Sequence, residues 1–373
     1  MRVLLAGGGT AGHINPALAI VGQIKKNSPR SVFLFAGTPA GMEAILIPKA
    51  GYSFAPIKVR GFQRSLSPKN VMKNFEAVKC LMTANSRAKK IITEFKPDIV
   101  IGTGGYVSGP IVRCAAAMGI KTLIHEQNAY PGFTTKILSK YVDRVMLASG
   151  EAKKYLDEKC VTKVVGNPVR ESVLRKSRAE ARKELNLDEN ICILSYGGSL
   201  GATKLNEIAA DIIQWSDKDK EINHIHAYGK RGEEEFFGLL RERGISIAQN
   251  PRLDIREYIN NMDDCMAVAD IVVSRAGAMT LSEITATGKA AILIPSPYVT
   301  ENHQYHNAVV LEKAGAAIII EEKDYDRSKL IEFLDDIIKH PQKLEERSEK
   351  ALSLGVFDTC EKIYSEIIEL LDT

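Results

Sequence analysis

RVLLAGGGTAGHINP, residues 2–16, holds the reading on which the fold turns. Val3 to Ala6 is an apolar run with no polar face, which suits a strand covered on both sides, as in a parallel sheet flanked by helices. Gly7 to Gly12 follows as a turn, and Asn15-Pro16 reads as the N-cap and first-turn proline of a helix. Glycines in such a turn let backbone amides approach an anion, and the helix start adds partial positive charge. The spacing departs from G-x-G-x-x-G, and no acid follows the second strand at Gly37-Thr38-Pro39 to take an adenosine ribose, so dinucleotide binding is disfavoured.

Working outward, RVLLA, SVFLFAG, DIVIG, TLIHE and RVMLAS alternate with amphipathic stretches, and ICILSY, HIHAYG, DIVVS, AAILIP and AAIII repeat the pattern. That alternation predicts an α/β architecture with parallel sheets. The order that opens the chain restarts at Ile191–Tyr196, with a glycine turn at Gly197–Gly201 and a helix over Ala202–Trp215. At 373 residues the chain exceeds the roughly 250 to 300 at which one core stops growing. Two Rossmann-like domains are therefore expected, 1–166 and 167–355, divided near Gly166 in VVGNPVR. A last helix, about 356–373, carries an apolar stripe of Ile363, Ile367, Leu370 and Leu371 that suits either domain.

Charged residues make up 26% and no apolar run reaches the ~18 residues that span a bilayer, so a chain that does not cross a membrane is expected. The first strand runs straight into glycines, unlike a signal peptide, which points to the cytoplasm. Six scattered cysteines without CxxC spacing suggest reduced thiols and no zinc site. A net charge of +4 gives no reason to expect nucleic-acid binding. The charge is uneven, however: Lys58 to Lys96 holds ten basic residues against Glu76 and Glu94.

Several loops after strands carry polar chemistry. His13 at a loop–helix junction can take a proton from a hydroxyl near neutral pH, or can bond to backbone; both readings are open. Thr10, Ala11 and Gly12 supply amides beside it. In the second turn, Ser199 adds a hydroxyl for a phosphate oxygen. Ser274–Glu283 again runs from strand to helix, placing Glu283 where a carboxylate can accept both hydroxyls of a ribose or sit in solvent. Glu301–Asn307, with His303 and Gln304, offers donors and acceptors suited to a sugar. Gly102–Tyr106 and His125–Asn128 follow strands of the first domain, where ligands gather in open α/β sheets. Asp217-Lys218-Asp219 and Asp324-Tyr325-Asp326 sit in charged, surface-like segments, so no metal and no cofactor is expected.

Together GGGTAGH, GTGGYVSGP, HEQNAYPG, GNPVR, GGSLGA, SRAGAMTLSE and ENHQYHNA resemble, in order from Arg2 to about Gly315, the MurG family of bacterial peptidoglycan synthesis. The resemblance implies a GT-B fold, two Rossmann-like domains facing a central cleft. It implies an inverting, metal-independent transfer of N-acetylglucosamine from UDP-N-acetylglucosamine to undecaprenyl-pyrophosphate-linked muramyl-pentapeptide. By that resemblance Ser199, Arg170 and Asn128 contact the donor's diphosphate and sugar, and Ile259 offers backbone to the uracil. Ala278, Met279 and Thr280 line the phosphates and sugar, Glu283 holds the ribose, and Gln304 and His303 reach sugar hydroxyls. His303 stands where many relatives have glutamine, and Leu200 where some do. His13 is the first choice of general base and Glu126 the second. GT-B folds also return their last helix to the first domain. A diacylglycerol glycosyltransferase or a non-catalytic sugar-nucleotide module are the rival readings.

The basic window suggests where a lipid acceptor would be met. Phe62, Leu66, Val71, Phe75, Val78 and Met82 recur at near-helical spacing beside Lys69, Lys73 and Lys79. Peripheral binding to an anionic surface, the cytoplasmic face of the cell membrane, is the expectation, because each cation near such a surface contributes ~1 kcal/mol.

Overall fold

The computed structural model describes residues 1–59, 83–217, 220–299 and 302–373. The nine membrane-face residues named above, Phe62 to Met82, lie outside the described residues, as does Glu301. The chain divides into two units: Met1–Arg170 with Asp358–Thr373, and Glu171–Phe357.

Among the described residues the first unit is built on seven strands: β1 (Arg2–Gly7), β2 (Val32–Gly37), β3 (Ser53–Pro56), β4 (Ile99–Gly104), β5 (Lys121–Glu126), β6 (Arg144–Leu147) and β7 (Thr162–Val164). Their order is β3-β2-β1-β4-β5-β6-β7 and every pairing is parallel. The period of two along a strand sends Val3 and Leu5 into one apolar layer and Leu4 and Ala6 into the other. The helix Ala11–Asn27 covers the first face through Ile14, Ala17, Ile20, Val21 and Ile24. The last helix, Thr359–Asp372, lies on this same face with Ile363, Ile367 and Leu370 in the core. Arg144 on β6 pairs with Glu366 and, at 3.0 Å, Glu369, and so fixes that helix to the sheet.

The second unit holds β8 (Cys192–Tyr196), β9 (Asn223–Ala227), β10 (Leu253–Arg256), β11 (Ile271–Ser274), β12 (Ala290–Leu293) and β13 (Ala317–Ile319), all parallel, in the order β10-β9-β8-β11-β12-β13. Both sheets therefore reverse winding beside their first strand, at β1/β4 and at β8/β11. Ligands in open α/β sheets bind at the carboxyl ends of strands beside such a reversal.

One expectation is corrected. Asn15 and Pro16 do not open the first helix: it begins at Ala11, with Thr10 as an extended N-cap, and Pro16 lies within it. The turn closes inside Gly8–Thr10, which leaves no room for a longer loop. The lost proline N–H would have bonded to Gly12. His13 thereby enters the first helical turn.

Candidate active site

In the first unit the loops after β1 and β4 interlock at the sheet's reversal. Ser108 donates to the Ala6 carbonyl at 2.6 Å and accepts from the Gly104 amide at 3.1 Å, tying the two strand ends. Thr103 Oγ1 donates to the His13 carbonyl at 2.7 Å. The His13 ring lies against Gly104, where a Cβ would stand 2.5 Å from Cδ2 and 2.9 Å from Nε2. His13 Nδ1 lies 2.9 Å from the Gly8 carbonyl oxygen. A carbonyl only accepts, so Nδ1 donates, and the neutral ring carries its lone pair on Nε2. One ring nitrogen thus bonds to backbone, and the other is left with its lone pair. Thr10, Ala11 and Gly12 sit at the start of the same helix, whose first backbone bonds, from His13 and Ile14, both run to the Thr10 carbonyl.

The residue missed from sequence is Glu43. It is 1% exposed, and its carboxylate fills the space left by three glycines. A Cβ on Gly8 or Gly41 would meet its oxygens at 2.3 or 2.4 Å, and one on Gly37 its Cγ at 2.4 Å. Oε2 accepts the Gly9 amide at 3.0 Å, and Oε1 accepts the Thr38 amide at 2.8 Å and hydroxyl at 2.6 Å. Burial alone would push the carboxyl pKa up, but these hydrogen bonds outweigh it and hold the group below its usual value. The first glycine turn therefore already contains an anion, supplied by the chain. The signal in the sequence was an acid six residues beyond Gly37, one short loop past the strand end where a ribose-binding acid was sought.

His125 to Asn128 extend from β5. Glu126 is 3% exposed and accepts from the Asn128 amide (3.0 Å), the Asn128 side chain (3.1 Å) and the Gly132 amide (3.1 Å). Both of its oxygens hold the 128–132 loop. His125 is fully buried, donates through Nε2 to the Gly166 carbonyl at 2.9 Å, and accepts at Nδ1 from Gln127. Burial lowers its pKa to about 4. Gln127 also donates to the Thr103 carbonyl at 2.9 Å, so the HEQN segment braces the loop behind His13. Arg170 closes the first unit.

In the second unit Ser199 lies in the turn after β8, and Leu200 beside it is 53% exposed. Among the described residues the Ser199 carbonyl accepts from the Lys230 amide, and its own amide and hydroxyl have no partner. Unlike the first turn, this second one has no carboxylate against its glycines among the described residues. Across the reversal, Gly277 caps the helix Ala278–Thr287. Ala278 and Thr280 are half-buried at its start, and the Met279 side chain between them is buried. Glu283, one turn on, is 6% exposed. Tyr196 ends β8 in the floor beneath it; burial first, then the Glu283 carboxylate, push its phenol above the usual value. Arg275, in the same segment, is held by Glu322 at 2.5 Å and by the Ile294 carbonyl at 3.1 Å. Gln304 Oε1 accepts the Ser296 amide at 2.9 Å, so this side chain shapes the loop after β12. His303 opens the helix His303–Lys313. The Ile259 side chain is buried in the loop after β10.

His224 and His226 are core residues. Both rings bond to Ser195 Oγ at 2.7 Å, and burial lowers the first to about 3 and the second well below its usual value.

The pattern of the glycosyltransferase family 28 N-terminal domain matches residues 3–147, and that of the family 28 C-terminal domain matches residues 192–363. A protein of Acetivibrio thermocellus is 45% identical over 372 residues, covering 100% of this chain and 98% of its own. It is named UDP-N-acetylglucosamine–N-acetylmuramyl-(pentapeptide) pyrophosphoryl-undecaprenol N-acetylglucosamine transferase. A protein of the same name from a Thermoanaerobacter species is 43% identical over 368 residues, 98% of this chain and 99% of its own. Among solved structures, MurG of Acinetobacter baumannii superposes with a TM-score of 0.69 at 27% identity, covering 99% of each chain. A Neisseria meningitidis UDP-GlcNAc 2-epimerase bound to UDP-GlcNAc shares the fold at a TM-score of 0.65 and 13% identity, over 99% of this chain and 100% of its own.

Proposed function

We infer the reaction from one premise, that the chain belongs to glycosyltransferase family 28, and propose that it transfers N-acetylglucosamine from UDP-N-acetylglucosamine to lipid-linked N-acetylmuramyl-pentapeptide. The observation that carries this reading is the full-length identity with proteins named for that transfer.

The C4 hydroxyl oxygen of the muramyl sugar attacks the anomeric carbon, the bond from that carbon to the UDP oxygen breaks with inversion, and UDP leaves with the electron pair. The hydroxyl proton passes to His13 Nε2. Charge grows on the departing diphosphate, so groups that bind it more tightly then than before lower the barrier. Ser199 and the amides of its turn take that role, with Arg170 and Asn128 in the donor contacts that the resemblance gives them. Glu283 accepts the ribose hydroxyls, Ile259 offers backbone to the uracil, Ala278 to Thr280 line the phosphates and sugar, and Gln304 and His303 reach the sugar. Thr10, Ala11 and Gly12 turn helix-start amides toward the acceptor's pyrophosphate.

No helix among the described residues is long and apolar enough to cross a membrane. The +8 of Lys58–Lys96 supports peripheral binding at the cytoplasmic face of the cell membrane, where the lipid acceptor is presented.

His13→Ala tests the mechanism. It should lower kcat by ~10² to 10⁴ and leave UDP binding intact. An unchanged kcat would remove His13 from the reaction.

A further inference from the structure

Glu43, the carboxylate inside the first glycine turn, does more than fill space. The Gly9 amide that it accepts and the Gly8 carbonyl that meets His13 belong to a single peptide group. Among the described residues no peptide is cis, and a trans peptide is rigid, with its N–H and C=O pointing in opposite directions. The peptide is therefore held at both ends, by Glu43 Oε2 at 3.0 Å on one side and His13 Nδ1 at 2.9 Å on the other. Thr38 anchors the other carboxylate oxygen through its amide and hydroxyl. Three glycines keep the position clear for the carboxylate.

We propose that Glu43 is a positioning residue for His13, acting through the Gly8–Gly9 peptide to fix the ring's orientation and keep its proton on Nδ1. The inference rests on the reading of His13 as the base. A carboxylate drawing on the N–H strengthens the carbonyl's negative pole at the far end, as in chains of hydrogen bonds that polarise one another. That pole holds the Nδ1 proton in the neutral ring and meets the positive charge of the imidazolium formed when Nε2 takes the acceptor's proton. The arrangement does what a carboxylate bonded directly to an imidazole does, with one peptide placed between them. Without the carboxylate the peptide plane is free to rotate, the carbonyl leaves Nδ1, and the ring can exchange tautomers.

Glu43→Gln keeps the shape and removes the charge. Both carboxylate oxygens face N–H donors, so whichever way the amide is turned its NH2 group opposes either Gly9 or Thr38. The variant should lose ~10- to 100-fold in kcat, the loss seen when the hydrogen-bond partner of a metal-ligating histidine is removed, with UDP affinity and the donor's KM unchanged. Nitrogen-15 NMR of the His13 ring gives a readout that a merely structural role would not move. The neutral ring should be protonated at Nδ1 in the parent and a mixture of tautomers in the variant. Should Glu43→Gln fail to fold, Glu43→Asp keeps the charge but is one methylene short of reaching Gly9 and Thr38 together, and it should show the same loss of kcat and the same mixture. A parent ring protonated at Nε2, or a folded variant with the parent's kcat and tautomer, overturns the inference. Measured in parallel, His13→Ala separates the two ideas. If it keeps the parent's kcat, the base reading falls and this inference with it. If it is inactive while Glu43→Gln behaves as the parent, only the role of Glu43 falls.

Discussion

Gly104→Ala adds one methyl group to the loop after β4, at the point where the His13 ring rests on bare backbone. The new Cβ would stand 2.5 Å from His13 Cδ2, and ordinary contact begins at 3.4 Å, so the ring must retreat by about 0.9 Å. A misplacement of about 1 Å in a reacting group costs on the order of 10²-fold in rate. The backbone adds strain of its own, since φ at this position is +109°. An alanine there costs ~1–3 kcal/mol, or a fall in Tm of roughly 2 to 12 °C for a unit of this size. Steady-state assays should therefore show kcat reduced about 10²-fold, while calorimetry finds UDP affinity unchanged. Gly119→Ala isolates the strain: φ is +73° and no atom lies within 4 Å of the added Cβ. It should lose stability alone. If folded Gly104→Ala turns over at the parent rate, Nε2 of His13 is not where the acceptor's proton goes.

Other consequences are separately measurable. Glu283→Ala should raise the donor's KM and weaken UDP itself, because a ribose contact is made in ground and transition states alike; equal UDP affinity would refute that role. Stability should fall in mild acid. His125, His224 and His226 are neutral when folded, with pKa values lowered to about 4, to about 3 and well below the usual value, respectively. Above the unfolded value of about 6.5 neither state is protonated and no dependence arises. As pH drops below it the unfolded chain binds protons that the folded chain refuses, at up to ~1.4 kcal/mol per pH unit for each ring. Urea denaturation at pH 7, 6 and 5 should show this loss, and His224→Gln should flatten it; identical slopes would place the buried charge cost elsewhere. Reversing Lys69, Lys73 and Lys79 to glutamate should abolish co-sedimentation with anionic vesicles and spare UDP binding. Sedimentation like the parent's at low and high salt would place the membrane face elsewhere.

The ten apolar runs visible in the sequence are ten of the thirteen strands among the described residues, because strands buried on both faces must be apolar throughout. The three that escaped, SFAP at β3, TKV at β7 and LDIR at β10, are short, lie at sheet edges and between them bury only Leu253, so no apolar run is required. The return of the last helix could not be decided from its stripe, since Ile363, Ile367 and Leu370 would suit any apolar face; Arg144, 222 residues away from Glu366, is what marks the partner. The first glycine turn was legible as a turn, but not the carboxylate that fills it. Gly8, Gly37 and Gly41 are spaced along the chain, and only the parallel pairing of β1 with β2 brings them around one carboxylate. The same holds for His224 and His226, whose alternation was plain while their partner Ser195 lies on the adjacent strand, opposite His226 in register.

The central claim is the identity of the acceptor, and competition between acceptors tests it most directly. The protein is incubated with labelled UDP-N-acetylglucosamine, an analogue of lipid-linked N-acetylmuramyl-pentapeptide and, in the same vesicles, diacylglycerol. Label should pass to the muramyl sugar, at its C4 oxygen and with inverted configuration at the anomeric carbon, while diacylglycerol remains unlabelled. Labelled diacylglycerol beside an unmodified muramyl lipid would contradict the account.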